Sequence, residues 1–133
     1  MNQPAGVRRR WLAATIAYIA LIFFVSSRPY LHAPGPEFDL KDKLAHALEY
    51  GVLTFLLWRA LAPALARDRL TAALALVAMV AVLASADELF QGTIPGRLTD
   101  LHDWFADLTG AAVAATACLV HASRAVRVRV AAE

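Results

Sequence analysis

The chain has 133 residues, of which 59% are hydrophobic and 18% charged, with a formal net charge of +2. Ordinary soluble domains are ~45–50% apolar, so this composition excludes one and points to a single membrane domain. The one cysteine, Cys118, excludes an internal disulfide. There is no Cys/His metal-ligand pattern, and the basic residues do not interleave with aromatics as a nucleic-acid surface requires. No metal, cofactor or nucleic-acid partner is therefore expected.

A helix that crosses a bilayer needs about 20 largely apolar residues. Trp11–Val25 is the first such stretch and extends through Ser26 and Ser27 to Tyr30. A loop rich in Pro and Gly (Pro29, Pro34, Gly35, Pro36) follows. The second stretch, Leu44–Leu65, is broken by His46, Glu49 and Arg59. After the short connection Ala66–Arg69, the third, Leu70–Phe90, carries no charge before Asp87. The segment Gln91–Asp103 contains a Pro95-Gly96 turn and leads to the fourth stretch, Trp104–Ala122, with Asp107 inside it. The expected architecture is an all-α membrane protein with one domain over residues 1–133. It would be a bundle of four transmembrane helices, spans 11–30, 44–65, 70–90 and 104–122.

Basic residues set the orientation. Nine of them (Arg8, Arg9, Arg10, Arg59, Arg67, Arg69, Arg124, Arg127, Arg129) fall on the side of the termini, against four (Arg28, Lys41, Lys43, Arg97) on the other. Both termini are thus expected in the cytoplasm, in a multi-pass protein of the cell (inner) membrane. Trp11, Trp58 and Trp104 fall near the expected interfaces, as anchoring aromatics would. Met1–Ser27 also has the order of a signal peptide, but Arg28-Pro29 makes a poor start after cleavage, so an uncleaved first helix is expected.

The acidic residues gather on the outer side, where a charge near hydrocarbon is costly and marks a functional candidate. On a helical wheel, Asp42, Lys43, His46, Glu49 and Tyr50 share an arc of roughly 120°, which must face other helices or a polar site. Glu88 and Gln91 follow at the end of the third span with Ser85 on the same side, while Asp87 points about 100° away and reads as a bystander near the interface or bonded to a neighbour. Asp100, Asp103, Asp107 and Gly110 share one arc of the fourth. Either Asp100 or Asp103 is expected to cap that helix, whereas Asp107, one turn further in, needs an internal partner. Arg97, after the turn, offers a planar fork either to Asp100, Asp103 or Glu88 or to an anionic group. Gly110 with Ala114 reads as a small-residue packing face. Ser26 and Ser27 read mainly as capping or backbone-bonded, and His32 and His102 as solvated.

The ordered set Asp42, Lys43, His46, Tyr50, then Glu88, Gln91, then Pro95-Gly96-Arg97, then Asp100, Asp103, Asp107, Gly110 resembles the VanZ-like membrane protein family, named for a protein associated with teicoplanin resistance. The resemblance runs from about Ser26 to the end of the fourth span and implies a small multi-helix membrane fold. Asp107 departs from the pattern, since many members carry Asn there. The candidate binding residues are Asp42, Lys43, His46, Glu49, Tyr50, Glu88, Gln91, Arg97, Asp100, Asp103 and Asp107. The expected role is to bind a membrane lipid or lipid-linked envelope component, polar headgroup or lipophilic glycopeptide at the outer leaflet. The alternative is an enzyme acting on a lipid-linked substrate, with His46 as base, Glu88 or Glu49 orienting it and Arg97 stabilising negative charge. In that alternative Asp42, Glu88, Asp100 and Asp103 could hold a divalent cation. A proton or cation pathway is disfavoured, because the cytoplasmic halves carry almost nothing ionisable. The oligomeric state is not set by the sequence.

Overall fold

A computed structural model of the chain describes residues 4–29, 40–65 and 68–130. Four helices account for nearly all of them: α1 (Ala5–Ser26), α2 (Leu40–Leu65), α3 (Arg69–Gln91) and α4 (Leu101–Val130). Their ends have local causes. Pro4 precedes α1, and α1 stops at Ser26 because Arg28 precedes Pro29, whose ring disfavours helical backbone in the residue before it. The first helix therefore ends short of the expected extension to Tyr30, which itself lies outside the described residues. Asp68 caps α3, its Oδ1 accepting the Thr71 amide at 2.8 Å. The α3–α4 connection turns at Pro95-Gly96: Arg97 N–H donates to Ile94 O at 3.1 Å, and Gly96 takes a φ of 82°. Pro followed by a left-handed glycine is the pattern of a type II turn.

Three of the helices, α1, α3 and α4, are long and apolar enough to cross a membrane. At 22 and 23 residues, α1 and α3 span about 33 and about 35 Å, enough to cross the ~30 Å hydrocarbon layer. The exception, α2, is 26 residues long but carries Asp42, Lys43, His46, Glu49 and Arg59. It tolerates these because it is the central helix, packing against α1, α3 and α4, while α1 and α4 do not touch among the described residues.

The contacts fix the directions. Trp11 meets Phe55 and Arg59, and the Tyr18 hydroxyl donates to Glu49 O, so α1 and α2 are antiparallel. Trp104 Nε1 donates to Ser85 Oγ at 3.0 Å, so α3 and α4 are antiparallel as well. The helices α2 and α4 run parallel, in close approach at Gly110. A Cβ there would overlap the Ala47 carbonyl, so only glycine lets the backbones pass. Ala111 and Ala115 continue this buried face, with Ala114 half-buried beside it.

The outside is apolar and the inside partly charged. Leu48, Val82, Leu89 and Val113 are each at least 65% exposed, while Lys43, His46, Asp87, Glu88, Asp103 and Asp107 are buried. A soluble protein shows the reverse arrangement. Hydroxyls along the helices are satisfied within their own helix: Thr15, Thr54, Ser85, Thr109, Thr116 and Ser123 each donate to the carbonyl four residues back. That removes the cost of an unpaired donor in an apolar medium. Trp58 is 6% exposed and part of the core with Leu57, Leu76 and Val80, so its ring meets helices where an anchoring aromatic would meet headgroups. Its position on the central helix leaves it no surface to reach.

Candidate functional site

The C-terminal ends of α1 and α3 and the N-terminal ends of α2 and α4 meet at one end of the bundle. On α2, Lys43, His46 and Tyr50 are spaced three and four residues apart and so line one face. On α4, Asp103 and Asp107 do the same, and the parallel packing of the two helices sets these faces against each other. The positive dipole ends of α2 and α4 lie here, which favours carboxylates in the first turn.

Lys43 is the organising cation. Its Nζ reaches Asp103 Oδ1 at 2.5 Å, Asp100 Oδ2 at 2.7 Å and Asp42 Oδ2 at 3.4 Å. An ammonium has three donors, and here each meets a carboxylate. One turn deeper, His46 Nδ1 stands 3.0 Å from Asp107 Oδ1, and His46 Nε2 lies 3.7 Å from Asp103. The internal partner expected for Asp107 is therefore His46. Asp100 is the cap of α4: its Oδ1 accepts the His102 amide at 2.8 Å and its carbonyl accepts from the Asp103 and Trp104 amides. Burial would raise the Asp100 carboxyl, but hydrogen bonds from Lys43 and His102 hold it well below the usual carboxylate range. His102 itself is exposed, as expected, with its ring 2.8 Å from Asp100.

From α3, Glu88 Oε2 accepts the Asp100 amide at 2.9 Å, tying the end of α3 to the start of α4. Gln91 joins three elements: its Nε2 donates to Asp87 Oδ2 at 2.8 Å and to Ser26 Oγ at 3.3 Å, and its Oε1 accepts from Arg97 Nη2 at 2.6 Å. Ser27 bonds its own backbone, donating to Phe24 O. Tyr50 is 1% exposed and stands beside Asp87. Glu49 is half-buried at the edge, and Asp42 is exposed at the rim.

His46, Glu88 and Asp103 converge at this end of the bundle. Arg97 engages the neutral Gln91 and no carboxylate among the bonds described, while Lys43 occupies Asp100 and Asp103. Lys43 thus stands among Asp42, Asp100 and Asp103, three of the four residues that the enzymatic alternative would give to a divalent cation. Asp87 takes the second of its two expected settings, bonded to a neighbour. It is 2% exposed and faces Tyr50 and Gln91, since α3 is covered on that side by α1 and α2. Its offset from Glu88 on the wheel pointed to a second neighbouring surface, and helix order was needed to see that the surface was protein.

Three groups at this end lack hydrogen-bond partners although their atoms are buried: Asp87 Oδ1, Glu88 Oε1 and Arg97 Nε. Two side-chain sets have metal-ligand spacing, Asp42-His46-Asp103 at the rim and His46-Glu88-Asp107 below it, each with donor atoms within 4.8 Å of one another. The His46–Asp107 pair also has the form of a base and its orienting carboxylate.

A family model described as VanZ/LLP1 matches residues 2–122, which include every residue of this cluster. Neither the curated proteins nor the solved structures hold a match to this chain.

Proposed function

The chain belongs to the VanZ/LLP1 family, and from that premise we propose that it is a four-span protein of the cell membrane whose charged cluster binds the polar head of a membrane amphiphile at the outer face. The occupant is a lipid-linked envelope intermediate, a polar lipid headgroup or a lipophilic glycopeptide, and binding it would contribute to envelope-antibiotic resistance. One observation carries this reading. Buried charged groups from α2, α3 and α4 converge at one end of the bundle, and the surface around them is apolar, with Leu44, Leu98, Leu101 and Phe105 each more than half exposed. A headgroup meeting the charges would lay its chains along these residues. The apolar exterior of α2, whose Lys43 and His46 are buried in the cluster, supports counting it as the fourth span, with both termini cytoplasmic by the distribution of Arg and Lys.

The enzymatic reading has its own support in the His46–Asp107 pair, 3.0 Å apart. His46 would act as general base, positioned by Asp107, on a substrate entering past the Lys43 rim.

The test is the amphiphile that co-purifies with the detergent-extracted protein, identified by native and lipid mass spectrometry, together with teicoplanin susceptibility of cells. Arg97→Lys keeps the charge but loses the fork, and should reduce both bound amphiphile and protection while melting stays unchanged. No bound amphiphile in the parent protein, with normal susceptibility in a well-folded Arg97→Lys, would refute the binding reading. Turnover of a bound lipid that depends on His46 would favour the enzyme.

A further inference from the structure

We infer that His46, Glu88 and Asp107 form a binding site for one divalent transition-metal ion, Zn²⁺ or Mn²⁺, beneath the Lys43 rim. The three residues come from three helices and are 8%, 4% and 1% exposed. One donor atom from each lies within 4.8 Å of the other two. His46 Nδ1 and Asp107 Oδ1 stand 3.0 Å apart, a hydrogen-bond distance that also equals the ~3.0 Å between ligands at 90° about an ion with ~2.1 Å bonds; tetrahedral zinc would need the pair to open to ~3.4 Å.

The second observation is independent of this spacing. Glu88 Oε2 is used by the Asp100 amide, but Oε1 is buried with no hydrogen-bond partner. A buried carboxylate oxygen without a donor is a costly arrangement that native structures rarely keep without a ligand. The charge balance points the same way. Four buried carboxylates (Asp87, Glu88, Asp103, Asp107) face one buried lysine and one histidine. Lys43 is engaged by Asp100 and Asp103, so among the described ion pairs only His46 meets a deeper carboxylate, while Arg97 bonds the neutral Gln91.

The same cation decides between the two sets with metal-ligand spacing. In the rim set, Asp103 Oδ1 is 2.5 Å from the Lys43 ammonium, which would repel a divalent ion, and Asp42 is exposed to water. The deep set has no such neighbour among the described bonds. One imidazole with two carboxylates suits Zn²⁺ or Mn²⁺ better than Ca²⁺ or Mg²⁺, which prefer oxygen alone. A resident ion would also let an acid-rich site hold an anionic headgroup, a consequence that rests on the proposed function.

The test uses full-length protein in detergent, stripped with chelator and titrated with Mn²⁺. One ion per chain is expected by electron paramagnetic resonance, with ¹⁴N modulation from a directly bound imidazole. Zn²⁺ should compete for it. Glu88→Gln, which can still accept the Asp100 amide, and His46→Gln should each weaken Mn²⁺ by at least the ~10–100-fold that a lost outer-shell partner costs. Stoichiometric Mn²⁺ without ¹⁴N modulation, or no Mn²⁺ binding by folded parent protein, overturns the site. Loss of binding in Asp42→Asn with none in Glu88→Gln places the ion at the rim and also overturns it. Metal content and bound amphiphile are separate readouts, so either proposal can fail while the other stands.

Discussion

Replacing Gly110 by alanine sets two effects of opposite sign against each other. In a helix interior alanine is favoured over glycine by ~0.8–1 kcal/mol. Against this, a Cβ on Gly110 would overlap the Ala47 carbonyl oxygen and come within 2.6 Å of its carbon and 2.8 Å of its Cα. All three are backbone atoms of α2, so no side chain can rotate away, and α2 and α4 must separate. Overpacking of this kind costs ~1–3 kcal/mol and more where the backbone has to move. The net expectation is a loss of up to about 2 kcal/mol, and more where the helices must part, accompanied by lengthening of the His46–Asp107 contact across the same interface. Gly51→Ala is the matched control. Its Cβ would meet Gly110 O at 3.4 Å, ordinary van der Waals contact, so helix propensity should dominate and the variant should be neutral or stabilised by up to ~1 kcal/mol. Thermal melting of the two detergent-extracted variants against the parent reads the difference directly. Equal melting of Gly110→Ala and Gly51→Ala would refute the close-approach reasoning, since propensity alone predicts no gap between them.

Lys43→Met should be strongly destabilising, because it leaves Asp103 buried and Asp100 half-buried without their cation; breaking such a pair costs ~3–5 kcal/mol. The loss, read by melting, should shrink as pH falls, since the orphaned carboxylates can then protonate. For Asp100 the sign runs through its lowered folded-state pKa: its ionised form stabilises the fold in full above the unfolded value of ~3.9, and that stabilisation fades only as pH falls below it. Asp100→Asn keeps a capping side chain and removes the charge, so its melting gap from the parent should hold steady from about pH 8 to about pH 5. A gap that closes near neutral pH would contradict the assignment of Lys43 and His102 as its partners. Reporter fusions after Arg69 and at the C-terminus should read cytoplasm, and fusions at Gly35 and Thr93 the outside; a C-terminus found outside would overturn the proposed topology.

Much of the fold was legible in the sequence. Apolar length located all four helices, and Pro95-Gly96 located the turn between α3 and α4, because both depend on local chemistry: hydrocarbon transfer per residue and the backbone freedom of glycine. The wheel also placed Lys43, His46 and Tyr50 on one face of α2, and Asp103 and Asp107 on one face of α4, since angular spacing within a helix is a property of the chain alone. What periodicity cannot supply is the neighbour. The pairing of Lys43 with Asp100 and Asp103, and of His46 with Asp107, follows from the parallel approach of α2 and α4 at Gly110. That approach gave the carboxylates to Lys43, and Arg97 was left with Gln91. Asp87 was left between an interface and a bonded neighbour because its direction was known but its surroundings were not, and the burial of Trp58 was hidden for the same reason. A side chain's angle on its helix is local, whereas whether that angle meets lipid, water or another helix depends on how all four pack. Only the tertiary structure decided which charges were buried together and which were left unpaired.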